Sequence, residues 1–596
     1  MTAARLRLSV FAVWLLASAI LLVIARHHIA ALSMWDPDDY LRLQQVRDLL
    51  GGQSFFDVSQ YRIDPPHGVP MHWSRIVDLP IAALILALRP MLGAMLAERV
   101  AISAVPLLIF GGSLAALALI GSRLADRRTA LIAVMLAAAA PLMLFHVMPL
   151  RIDHHGWQTM LGLFTIAACF DPRPRRGGMI AGATAALWLA ISLEALPMVA
   201  AIAALLALRF GADAHPNRQS GGGRSDEGKR LQAFAGAFAL SGMALFVLFH
   251  GPAAYARNYC DAVSPAWFGP MVLTPALAAL LVPLASRYDM ALRIAILAAA
   301  GAAGVALLAA TAPACLHGPF AALDPVVRFY WYDNVLEGLP VWKQPFDNRL
   351  LLVGFPPIGL LGTLLAWRSA ATARAARDWL MMLALLLAAF ALSLLVQRAG
   401  GFAQGCALPG GAFLLARLLA AVGRWRHGLL RVIVSAGAIL ALSPVGAVLI
   451  GTVALSAGEQ GNSGASEPPV CPAPCAPFAA LARLPPATML TGIDLTPRLL
   501  VMTPHSFAGS GHHRNPQAIR RVIDAFTGPP EAARRMMARH GMDYVLIDPD
   551  GNEAMIYSRA APRGLMADLL QARTPAWLEP VALKGSTLRL WKRMPG

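Results

Sequence analysis

Met34-Trp35-Asp36-Pro37-Asp38-Asp39-Tyr40-Leu41-Arg42 follows closely on an apolar run from about Leu8 to Ala25. A run of that length predicts a membrane-crossing helix. Three carboxylates then stand where the chain leaves the bilayer. Charge in or beside a membrane is costly and usually does a job. Taking this stretch as the outer end of the first span sets the side on which every later loop falls.

The rest of the chain fits that reading. Its 596 residues are 57% hydrophobic and 14% charged, against about 25% charged in soluble domains. Long apolar runs recur to about residue 454, the pattern of a polytopic α-helical membrane protein. The formal charge of +17 does not point to nucleic acid, because the basic clusters fall in alternate loops. Arg123, Arg127 and Arg128, then Arg173, Arg175 and Arg176, then Arg368, Arg374 and Arg377, then Arg424 and Arg426 mark one side as cytoplasmic. Diffuse basicity also suits a phosphate-bearing lipid. Arg5 and Arg7 precede the first span. Ala17-Ser18-Ala19 resembles a cleavage site, but the apolar run continues through Ile24, which predicts an uncleaved anchor with a cytoplasmic N-terminus.

Met179 to Leu208 is one apolar run of about 30 residues, long for one helix and short for two. Arginines flank it on both sides, so it crosses an even number of times. Two short helices turning near Ser192 to Pro197 are predicted, with Glu194 at the outer turn. The count becomes about thirteen transmembrane helices. Residues 1–454 form the membrane domain, with outer loops at 26–78 and 311–349, and the short apolar segment Leu79 to Leu92 suits the interface. Residues 209–230 and 455–476 are linkers rich in Gly and Ser. Residues 477–596 alternate strand-like and helix-like runs, a small α/β domain on the outer, periplasmic side. Strands are expected at Met489-Leu490, Leu499 to Met502, Asp543 to Ile547 and Leu588 to Trp591. Helices are expected at Glu531 to Arg539 and over most of Ala554 to Ala572. Cys471 and Cys475 can close a small disulfide loop if their segment is extracytoplasmic.

With this topology Asp36, Asp38, Asp39, Asp153, His154, His155 and Glu337 all face outward. Carboxylates with an imidazole suit a divalent cation such as Mg²⁺ or Mn²⁺, which would offset the charge on a departing phosphate. The same Asp36-Pro37-Asp38-Asp39 stretch also suits a helix N-cap, and the two roles can coexist. Neighbouring side chains diverge on a helix, so one of His154 and His155 is expected beside Asp153. Phe329-Tyr330-Trp331-Tyr332 can stack on sugar rings or anchor a loop at the interface. His505 with Gly511-His512-His513-Arg514-Asn515 suits a phosphate or a polar surface loop leading into a helix at Pro516.

These motifs resemble the catalytic subunit of the oligosaccharyltransferases, and more broadly the polytopic glycosyltransferases of the C-type (GT-C) fold. Asp36-Pro37-x-x-Tyr40-x-Arg42 resembles that subunit's first outer-loop motif. His72-Trp73-Ser74 stands where the family continues toward its second span. Arg151-Ile152-Asp153-His154-His155-Gly156 resembles the second motif, and Asn334-Val335-Leu336-Glu337 the Ser-Val-Ser-Glu motif of the large outer loop. Arg398 stands where the family has an arginine near the lipid phosphates. The resemblance implies a bacterial inner-membrane enzyme that moves a sugar or oligosaccharide from a polyprenyl-(di)phosphate donor to a glycan, lipid or protein acceptor. Asp36, Asp153 and His155 would hold the metal. Asp36 and Glu337 would orient or deprotonate the acceptor, and Arg398 would bind the donor phosphate. Asp39, Arg42, His154, Trp331, Tyr332, His513 and Arg514 are further candidates for substrate contact. His155 replaces the usual second acid, which leaves metal identity open and admits a metal-independent site. The Trp-Trp-Asp-Tyr-Gly sequon reader is absent, so asparagine-linked transfer is not inferred. The rival reading is a transporter or flippase of lipid-linked sugars, which tends to carry polar groups at midplane.

Overall fold

The structure, a computed structural model, describes residues 1–213, 225–321, 323–456 and 476–595. Helix α1 (Ala3–Ala31) is long and apolar enough to cross a membrane. The shorter and more polar helix α2 (Pro37–Leu50) follows it. A two-stranded hairpin, β1 (Ser59–Gln60) with β2 (Val69–Pro70), follows. Helix α3 (Asp78–Leu124) is broken at Gly93, whose φ of 75° only glycine adopts freely. That break separates the short apolar stretch 79–92 from the span that begins near Ala97.

The membrane region continues with α4 (Arg127–Ala137), α5 (Pro141–Phe145), α6 (His155–Cys169), α7 (Pro174–Ile191) and α8 (Leu196–Gly211). Next come α9 (Asp226–Phe249), α10 (Pro265–Ala285), α11 (Met290–Thr311), the short outer α12 (Pro325–Tyr330), α13 (Phe346–Val353) and α14 (Pro356–Arg368). Helices α15 (Ala373–Leu395), α16 (Gly400–Val422), α17 (Gly428–Ala441) and α18 (Pro444–Ser456) complete it. The expected break in Met179 to Leu208 falls at a 3₁₀ turn, Leu193–Ala195, capped by Ser192.

Among the described residues, 9 segments are long and apolar enough to cross a membrane, or 10 if the pair α17 and α18, bent by 89°, is one span. The sequence reading expected about thirteen. The remaining three expected spans are helical but short. Pro141 ends α4 and opens the 5-residue α5. Helix α6 has only 15 residues because the segment before it turns to build the site. Helix α7 opens on Arg175-Arg176-Gly177-Gly178, which lowers its apolar content.

Glycine sets how closely some helices approach. A Cβ on Gly362 would run into the Gly410 carbonyl, and one on Gly410 into the Gly359 carbonyl, so α14 and α16 pack backbone on backbone. Small residues at a membrane helix interface allow this close approach.

The C-terminal domain begins with α19 (Ala476–Leu481). Its five-stranded mixed sheet has the order β4-β3-β5-β7-β6, with β3 (Thr488–Leu490), β4 (Ser506–Phe507), β5 (Tyr544–Ile547), β6 (Leu578–Val581) and β7 (Arg589–Arg593). Strand β3 is parallel to β4 and β5, and β7 is antiparallel to β5 and β6. Helices α20 (Thr496–Met502), α21 (Pro516–Thr527), α22 (Pro530–Arg539), α23 (Asn552–Ala560) and α24 (Leu565–Leu570) complete it. The strand expected at Leu499 to Met502 is therefore wrong: it is α20, with Pro497 in its first turn and Leu499 and Leu500 buried. A short apolar run does not distinguish a buried helix from a strand. Strand β6 was not anticipated.

The two sheet faces bury different partners, as side-chain alternation requires. Leu490, Val545 and Trp591 face α21 and α23. Met489, Leu546 and Leu590 face Ile63, Val69, Met71 and Trp73 of the first outer loop. The sheet edge is continued by that loop, with Phe507 N–H donating to Arg62 O and Asp64 N–H to Phe507 O, both at 2.8 Å. The segments 26–78 and 476–595, assigned to different domains from sequence, thus share one core. A disulfide joins Cys260 to Cys315, which the sequence reading did not foresee. Cys471 and Cys475 lie outside the described residues.

Candidate active site

Three segments meet at one end of the bundle. Asp36 caps α2 by accepting from Asp38 N–H at 2.9 Å, with Pro37 in the first turn. That is the cap the sequence suggested. Its other oxygen lies 3.1 Å from Arg151 Nη1, which is also 3.0 Å from Asp39. Asp39 accepts the Asp153 N–H at 2.9 Å. The first turn of α2 therefore holds the turn before α6 in place through a buried arginine. Leaving such a charge unpaired would be costly, which keeps both carboxylates close to it.

Asp153 is the hub of the second segment. One carboxylate oxygen accepts the His154 N–H at 2.6 Å and contacts His154 Nδ1; the other lies 3.1 Å from His155 Nε2. Only one histidine was expected here. Both reach Asp153 because the pair occupies the N-cap and first position of α6, where the backbone turns, rather than the helix interior. Asp153, His154 and His155 offer ligand atoms within 4.8 Å of one another.

Glu337 arrives from the large outer loop in a 3₁₀ turn, Leu336–Gly338. Its carboxylate lies 4.0 Å from His155 Nε2 and 3.5 Å from Arg398 Nη1. Arg398 also pairs with Glu194 at 2.8 Å. Glu194 was placed at the outer turn by the sequence reading but not in the site. It lies 3.9 Å from both His154 and His155 and accepts from Gln158 Nε2 at 3.0 Å. Its signal was there to read, since it is the sole acid in a 30-residue apolar run.

The pocket is rich in negative charge. Asp36, Asp38, Asp39, Asp153, Glu194 and Glu337 gather there around Arg151 and Arg398. Burial pushes the Asp36 carboxyl above its usual range; Arg151 opposes this, while Glu337 and Asp153 add to it. A divalent ion would relieve that repulsion, and a carboxylate with imidazoles is a suitable donor set. The residues thus fit a cation at Asp153, His154 and His155, a group to which Asp36, paired with Arg151, does not belong.

Other candidates are committed elsewhere. Arg42 is 1% exposed, bonds Asp78 at 2.8 Å and lies over the Trp73 ring. Trp331 packs against the core of the C-terminal domain. Tyr332 contacts Phe320 and the Arg328 guanidinium. His513 and Arg514 both bond Asp261, at 2.6 and 2.8 Å. His505 bonds Leu481 O at 2.9 Å and is structural.

No protein-family model and no curated protein sequence matches the chain. Solved structures do. The oligosaccharyltransferase AglB from Archaeoglobus fulgidus, bound to an inhibitory peptide and a dolichol-phosphate, superposes with a TM-score of 0.66 at 14% identity, over 96% of this chain and 72% of that one. This protein has the GT-C fold. AglB in complex with Zn and sulfate gives a TM-score of 0.57 at 14% identity, over 98% and 74% of the two chains. The arabinofuranosyltransferase AftD from Mycobacteria gives 0.50 at 14% identity, over 98% of this chain and 41% of AftD. The GT-C architecture, a bundle of membrane helices with a C-terminal domain packed over one end, is the one described above.

Proposed function

We propose that this chain is an integral-membrane glycosyltransferase that moves a sugar or oligosaccharide from a polyprenyl-(di)phosphate donor to an acceptor on the outer face. The observation that carries the reading is the convergence of Asp36, Asp153 and Glu337, from segments about 100 to 300 residues apart, around Arg151 and Arg398. AglB was solved with a dolichol-phosphate, which supports a lipid-phosphate donor for a chain of the same fold.

In this reading Glu337, with Asp36 across the pocket, accepts the proton of the acceptor nucleophile. The nucleophile bonds to the anomeric carbon as the bond to the lipid phosphate oxygen breaks. Arg398 receives the released phosphate, and Glu194 holds Arg398 in place. Asp153, His154 and His155 would hold a divalent cation, which supplies neutralisation of charge on the departing oxygen. The Cys260–Cys315 disulfide suits an oxidising compartment, which supports a periplasmic site in a bacterial inner membrane with the N-terminus cytoplasmic. The acceptor is a glycan, a lipid or a protein.

A transporter or flippase is not favoured. The acids sit at helix ends and in outer loops, not at the middle of the spans. The purified chain, given a labelled polyprenyl-phosphate sugar and an acceptor extract, should form a covalent product. Asp36→Ala, Asp153→Ala and Glu337→Ala should each lower the rate by orders of magnitude while the protein still inserts. Full activity in all three, or sugar movement across vesicles with no new glycosidic bond, would reject the reading.

A further inference from the structure

A second group of ligand-type side chains lies outside the acid pocket. His72 is in the outer loop just before α3, and His512 and His513 are in the turn leading to α21. Ligand atoms of the three lie within 4.8 Å of one another. His72 Nδ1 faces His512 Nε2 at 2.9 Å, and the three rings pack with centroids 4.9 to 5.1 Å apart. Two facing imidazole nitrogens need either a shared proton or a cation that both bind. A shared proton accounts for two nitrogens, whereas a cation also accounts for the approach of a third ring's ligand atom to the same point.

The surroundings favour the cation. His512 is 3% exposed, with its Nε2 turned to His72 inside the cluster. His513 Nε2 is fixed by Asp261 at 2.6 Å, which leaves its Nδ1 for a ligand bond. A carboxylate behind a histidine is the usual support of a metal-binding imidazole. Asp261 is in turn clamped by Arg514, which also donates to Met71 O at 3.0 Å. Asn515 bonds Asp64 at 2.7 Å, so the turn is tied to the first loop by two bonds beside the cluster.

We propose that His72, His512 and His513 form a zinc-class cation site, separate from the Asp153 group, that staples the C-terminal domain to the first outer loop. Three neutral imidazoles suit zinc or cobalt better than magnesium or manganese. Three protein ligands leave a fourth position for water or another oxygen donor. The inference needs no part of the transferase reading, because none of its ligands belongs to the acid pocket.

The test uses the full-length chain in detergent, stripped by chelator and titrated with zinc or cobalt alone. The wild type should take up a metal equivalent with imidazole ligation by X-ray absorption, and zinc should raise its thermal midpoint. That equivalent should persist in Asp153→Asn and be lost in both His72→Asn and His512→Asn. Asp261→Asn should weaken it by about 10–100-fold. If one histidine variant fails to elute as a monodisperse species, the other, on a different segment, still decides. No zinc uptake by the wild type, uptake unchanged in the histidine variants, or loss in Asp153→Asn would overturn the site. Uptake at the histidines with no rise in thermal midpoint would overturn the staple.

Discussion

The Arg151 guanidinium lies 3.0 Å from the Asp39 carboxylate, with both side chains shut away from solvent. The pair joins the first outer segment to the turn that carries Asp153, and Asp39 also accepts the Asp153 N–H. Asp39→Asn should therefore destabilise the protein by about 1–3 kcal/mol, the usual cost of spoiling a buried hydrogen-bond partner, since Arg151 keeps Asp36. Asp36→Asn should cost less, because Asp36 is 24% exposed and water can take over part of its role. Thermal unfolding of the detergent-solubilised variants checks the order. An equal loss in both would mean that Asp39 has no special part in holding the turn.

Glu194 and Arg398 form the other charged contact that shapes the pocket, at 2.8 Å. Under the transferase reading, Glu194→Gln should slow sugar transfer by about 100-fold through a misplaced guanidinium. Arg398→Lys should not restore function, since a point charge lacks the planar fork. Steady-state kinetics with varied donor would show the Arg398 effect in kcat as well as in kcat/KM, since the guanidinium acts on the phosphate as it leaves.

Close packing between α14 and α16 supports the site from below, because α16 starts just after Arg398. Gly410→Ala would place a methyl group against the Gly359 carbonyl. The expected cost is about 1–3 kcal/mol, typical of overpacking. Folded yield after detergent extraction should fall, while Gly437→Ala, with open space around it, should leave it unchanged.

Asp171, between α6 and α7 on the basic side, accepts from Arg176 at 2.6 Å, Arg123 at 2.7 Å and the Arg173 N–H at 2.8 Å. Burial opposes its charge, but these donors win and hold its carboxyl below the usual value of 3.8. Its native pKa is depressed, so its contribution is complete above that value and lost as pH falls through the native one. Asp171→Asn should thus lower the thermal midpoint at pH 7 and at pH 5 alike, and the gap to wild type should narrow only below about pH 4. A gap that closes between pH 7 and pH 5 would contradict the assignment.

Much of the fold was legible because membrane insertion writes simple rules into a chain. Arginines on both sides of Met179 to Leu208 required an even crossing, and the turn falls at Leu193–Ala195. The outer acids could be grouped by parity before any contact was known. What could not be read depends on three-dimensional neighbours. Leu499 to Met502 is too short for periodicity to tell helix from strand. Cys260 and Cys315 are 55 residues apart with no motif to pair them. Glu194 stood out by composition, yet only the folded chain shows that it reaches Arg398. The approach of both His154 and His155 to Asp153 follows from a turn at the start of α6 that a helical reading misses.

The core that Ile63, Val69, Met71 and Trp73 share with Phe507 and Leu546 joins parts of the polypeptide made far apart in time. More than 430 residues separate them, roughly 20–100 s of ribosome travel at ordinary elongation rates. Throughout that interval the early segment stands without its cover, its greasy face open to solvent or to a helper. Biogenesis of this protein therefore closes from its last residues backward, and a nascent chain released before that point leaves its first loop uncovered.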